Sequence, residues 1–99
     1  MGRAVTFFGA ADIPHCSPMT RLGKSTNVKV GGLGVSRQGH INTGHLKPMG
    51  PFCVGHVASI SIGSLKVIVN GRGCGRMGDD VGGGGCTRVA EGHPKVFAG

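Results

Sequence analysis

A chain of 99 residues sets the expectation of one domain, and a domain this small is marginal without a staple beyond its core. Four Phe, no Trp and no Tyr exclude a core of large aromatic side chains, while 21 Gly and 5 Pro call for a turn-rich β structure. The formal charge is +7, but its 11 Lys and Arg are scattered singly, which excludes a basic block or a basic amphipathic helix; nor is there a run of about 18 apolar residues to cross a membrane as a helix.

The first eleven residues include Phe7 and Phe8 but no apolar stretch long enough for a secretory signal, so synthesis in the cytoplasm is expected. There Cys16, Cys53, Cys74 and Cys86 stay reduced, which favours metal binding over disulfides. Next comes the segment 25–40, STNVKVGGLGVSRQGH, in which Val28 and Val30 alternate with polar neighbours as a half-buried strand does. Gly31-Gly32 then supplies a two-residue turn, and the returning strand carries Arg37 and ends at Arg-x-Gly.

The segment 64–79, SLKVIVNGRGCGRMGD, repeats this one at an offset of 39 residues without a gap, with seven of sixteen positions identical. Such a match argues for internal duplication. Asn70-Gly71 is the stronger form of the same turn signal. A partial third copy, GHPKVFAG at 92–99, echoes the Lys-Val pair of the second and stops before the arginine strand. The N-terminal segment that begins at Arg3 is expected to supply the missing piece. No window sustains a 3.6-residue period, so an all-β fold with no helix is expected.

The segment 69–79, VNGRGCGRMGD, resembles the repeat of the PAAR family, a hairpin that ends in Arg-x-Gly-Asp and is followed by a Cys- or His-bearing loop. The family's name-giving Pro-Ala-Ala-Arg falls on Gly73, Cys74, Gly75 and Arg76, with only the arginine retained, and His40 stands where the aspartate is usual. The resemblance implies one domain over 1–99, with copies at about 15–40, 53–79 and 86–99. It implies a small cone of short hairpins with pseudo-threefold symmetry and an apex pinned by one zinc ion, typically on three histidines and a cysteine. It also implies a structural role without catalysis: a tip that caps the homotrimeric β-helical spike of a contractile injection machine, one tip per trimer, and helps it pierce a membrane. A phage baseplate and virion location are expected; the alternative is the spike of a type VI secretion system, with export from the cytoplasm.

Repeat register narrows the metal ligands. The loop before each copy's first strand is expected at the apex, which brings in His15, His56 and Cys86, and His45 is placed to reach the same end. The expected set is therefore His15, His45, His56 and Cys86, mixed N and S donors that suit tetrahedral zinc. Cys16, His40 or Cys53 could replace a member; Cys74 is expected to pack inside its hairpin, and His93 to lie on the surface towards the other end.

Other functions fit less well. The pairs His15-Cys16 and Cys53 with His56 are more simply metal ligands than nucleophile and base, and no small-molecule substrate is expected. A zinc-ribbon nucleic-acid module would use CxxC knuckles, which are missing, so no specific nucleic-acid partner is expected. The glycines at 82–85 are followed by no Gly-Lys-Ser/Thr and no helix signal, as a phosphate loop would require. Arg37 and Arg76 are expected to bond backbone carbonyls or an acidic partner.

Overall fold

The computed structural model describes residues 2–14, 18–49, 52–82 and 87–99, and of 46–49 and 52–54 it describes the backbone alone. Ten short strands follow in order: β1 (Arg3–Ala4), β2 (Lys29–Val30), β3 (Leu33–Gly34), β4 (His45–Met49), β5 (Phe52–His56), β6 (Ile68–Val69), β7 (Arg72–Gly73), β8 (Asp80–Val81), β9 (Thr87–Arg88) and β10 (Phe97–Ala98). They pair antiparallel two by two, as β2–β3, β4–β5, β6–β7, β8–β9 and, joining the two ends of the chain, β1–β10. Among the described residues there is no helix. The molecule is all-β and elongated, with extents of 39 × 23 × 23 Å.

The turns explain the glycines. Gly31 and Gly32 have φ of 58° and 81°, and Asn70 and Gly71 have 49° and 86°. Two successive positive angles match the twist of flanking strands and close a two-residue hairpin. A second turn comes later in each unit, with Gly9, Gly39 and Gly78 at φ 88°, 90° and 89°. Each is closed by the same backbone bond, from Ala10 N–H to Phe7 O, His40 N–H to Arg37 O, and Asp79 N–H to Arg76 O.

Other bonds recur in threes. Ser25, Ser64 and His93 donate their backbone N–H to Val35, Cys74 and Val5 carbonyls, each at 2.8 Å. Isolated bridges do the same: Arg21 opposite Asn42, Ile60 opposite Val81, and Asp12 opposite Val89.

This framework holds two apolar clusters. The first gathers Val30, Val69 and Ala98 with Val5, Val35 and Cys74, and Phe7 and Val28 pack against it. The hairpin tips close that end in a ring: Asn70 Nδ2 donates to Ser25 Oγ at 2.7 Å, Ser64 Oγ donates to the Gly99 carbonyl, and Gly31 lies so near the His93 ring that a Cβ would come within 3.0 Å of it. The second cluster is Ala58, Ile60, Val81 and Val89.

The β4–β5 ribbon was not expected as strands. Its five pairs run from His45 opposite His56 to Met49 opposite Phe52, with Pro48 opposite Cys53, and it pairs with no other named strand.

Candidate metal centre

His45 opens β4 and His56 closes β5, so the ladder sets them opposite each other at the root of the ribbon. Their rings meet edge to face with centroids 4.2 Å apart. His45 is buried, and its Nδ1 lies 2.9 Å from the Thr43 carbonyl oxygen. A carbonyl can only accept, so Nδ1 carries the proton; in the neutral ring this is the tautomer that ligates a metal through Nε2. The Thr43 carbonyl is itself fixed, because Thr43 N–H donates to Thr20 O and Thr20 N–H donates to Thr43 Oγ1.

Of the four expected ligands the structure brings His45 and His56 together; His15 and Cys86 lie outside the described residues, as does Cys16. The segments that lead to them are tied to each other: Ile13 N–H donates to Arg88 O at 2.8 Å, and Thr87 Oγ1 donates to Ile13 O. Among the described residues no three of His, Cys, Asp and Glu converge. The described donors fit a zinc ion in kind: two adjacent imidazoles, one held by a backbone carbonyl in the ligating tautomer.

The other histidines and cysteines occupy separate places. Cys74 is buried in the first cluster, and burial pushes its thiol up to about 11, so it stays protonated at neutral pH. His40 sits in the turn closed by Gly39, where its Nδ1 accepts the Arg37 N–H at 3.0 Å. His93 Nδ1 accepts the Lys95 N–H at 3.1 Å, a cap like that of Ser64 Oγ on the Lys66 N–H. Cys53 stands opposite Pro48 within the ribbon. Arg37 NH1 donates to the Gln38 carbonyl, and Arg76 forms an ion pair with Asp79, which Arg3 also reaches.

Sequence reasoning missed the polar group beneath this site. Arg21, one of the singly scattered cations, is 0% exposed, and so is Asn42. Arg21 NH2 donates to Asp12 Oδ2 at 2.6 Å, Asn42 Nδ2 donates to the same oxygen at 3.0 Å, and Asn42 Oδ1 accepts the Ala58 N–H at 2.9 Å. Burial pushes the Asp12 carboxyl above the usual range, and Arg21 and Asn42 pull it back only in part. Among the described residues, Asp12 Oδ1 and Arg21 Nε are buried without a hydrogen-bond partner. Asp12, Arg21 and Asn42 occupy bridge positions that Val81, Ile60 and Val89 fill elsewhere in the same set of three bridges.

No family model matches the sequence, and no curated protein matches it either.

Proposed function

We propose that this protein is a PAAR-type tip, a structural cap for the trimeric β-helical spike of a contractile injection machine. The observation that carries the reading is the triplicate backbone pattern. Three strand pairs, the hairpins β2–β3 and β6–β7 and the terminal pair β1–β10, share equivalent backbone bonds and are each followed by an equivalent glycine turn, as expected of copies around a pseudo-threefold axis. Their interlocked end exposes Leu33, Leu65, Val67, Ile68, Val96 and Phe97, apolar surface suited to a second protein. A threefold partner can present one chain to each hairpin. Asp12, Asp79, Asp80 and Glu91 all accept hydrogen bonds within the fold, which suits a passive part better than an acid–base catalyst.

The metal centre would lie at the root of the β4–β5 ribbon. There His45, His56, His15 and Cys86 would hold one zinc ion, which when bound supplies the folding energy that a thin apex lacks in apolar core. His45 needs no rearrangement of tautomer for this, since Thr43 already holds its Nδ1–H.

The test is the mass of the complex formed when the protein is mixed with the spike trimer of its own machine. One tip per three spike chains is expected, with one zinc per tip by elemental analysis. Three tips per trimer, or no complex with that spike, would refute the cap.

A further inference from the structure

The group Asp12–Arg21–Asn42 costs the fold burial energy that apolar residues would not. Asp12 is 1% exposed and Arg21 and Asn42 are 0%. A buried ion pair of this kind is often no more stabilising than well-packed apolar residues of similar volume. The fold demonstrates the apolar solution in its own framework. Ile60 faces Val81 as Arg21 faces Asn42, and Val89 faces Asp12.

What distinguishes the polar positions is what they join. Asp12 lies three residues before His15, Asn42 three before His45, and Ala58 two after His56. Asn42 links all three segments, donating to Asp12 Oδ2 and accepting from Ala58 N–H. Arg21 secures the assembly from the side, with NH2 on Asp12 and NH1 on the His40 carbonyl at 3.2 Å. Thr43, the next residue after Asn42, gives the carbonyl that fixes the His45 ring. The cysteine-bearing segment joins through Thr87, whose hydroxyl holds the Ile13 carbonyl.

We infer that Asn42, braced by Asp12 and Arg21, is the positioning residue of the metal centre: it sets the spacing of the three histidine-bearing segments before any metal arrives. The inference rests on the metal-centre reading given above. It explains why the polar solution occurs at these positions and the apolar one at their counterparts. A ligand set already held in place loses less conformational freedom on binding, so its affinity is higher.

The experiment replaces the polar group with the residue types of its counterparts, as the triple variant Asp12→Val, Arg21→Ile, Asn42→Val. Zinc affinity is measured by competition with a chromophoric chelator, and geometry by the visible absorption of the cobalt-substituted protein. The expected result is a metal-free melting temperature at or above that of the wild type, together with zinc affinity weaker by about 10- to 100-fold and an altered cobalt spectrum. A merely structural role would move the melting temperature and leave the spectrum alone. Affinity within about twofold of the wild type, with the same spectrum, overturns the inference and leaves the metal centre standing. A wild type that takes up neither ion overturns both. If the triple variant does not fold, Thr87→Val decides: a loss of about 2- to 10-fold in zinc affinity, the size of one hydrogen bond, supports the positioning network, and unchanged affinity overturns it.

Discussion

At the hairpin end, Val30, Val69 and Ala98 meet Val5, Val35 and Cys74 in an apolar cluster. At the ribbon end, Ile60, Val81 and Val89 share their level of the framework with Asp12, Arg21 and Asn42. The backbone pattern is the same, so the difference lies in what the side chains are for. The apolar cluster needs only volume, which small β-branched residues supply. The polar end keeps a carboxylate oxygen and a guanidinium nitrogen without partners among the described residues, a cost that stability alone does not justify. One end is built to hold the fold and the other to hold particular atoms in place.

The sharpest way to break the comparison is to cut the ion pair in half. Asp12→Ala leaves the Arg21 guanidinium fully buried with its charge uncompensated. The expected cost is about 3–5 kcal/mol in urea denaturation, against little or none for the full apolar replacement. Equal losses in the two variants would show that the group is an ordinary stabilising network.

At the other end the penalty should follow volume. Val69 is 4% exposed and belongs to the first cluster. Val69→Ala removes two methyl groups and is expected to cost about 2 kcal/mol, transfer and cavity together. Zinc affinity should be unchanged, because no bond to the ligand-bearing segments is touched. A large drop in affinity would mean that the two ends are mechanically one.

The hairpins were legible because their chemistry is local. Asn70-Gly71 and Gly31-Gly32 announce positive φ angles that few other pairs accept, and the structure has them. The ribbon was not legible: the stretch from His45 to His56 contains Pro48 and Pro51, and its residues do not alternate as a half-buried strand does. Arg21 was misread for a different reason. Its burial depends on Asp12 and on Asn42, and pairing across the fold leaves no periodic trace. The histidines were legible as donors, but spacing alone left several sets open. The ladder is what brings His45 and His56 to one root.

The smallest effect expected separates two versions of one turn. In the second copy Asp79 Oδ2 accepts the Arg76 N–H at 2.8 Å, and Oδ1 accepts Arg76 NH2 and Arg3 NH2. In the first copy His40 Nδ1 takes the equivalent N–H, from Arg37, at 3.0 Å. Only the neutral ring can do this, because a protonated Nδ1 is a donor that faces a donor. Burial first, then the Arg37 and Arg21 charges, lower the His40 pKa from its usual 6.5. A lowered histidine pKa contributes stability that is complete above about pH 6.5 and is lost as the pH falls towards the folded value. The metal-free wild type should therefore lose melting temperature from pH 7 to pH 5 faster than His40→Asp, whose carboxylate accepts the same bond down to about pH 4. Groups common to both proteins cancel in the difference. Parallel curves over that range would mean that the His40 bond contributes nothing to the turn, and that the two copies differ in residue but not in strength.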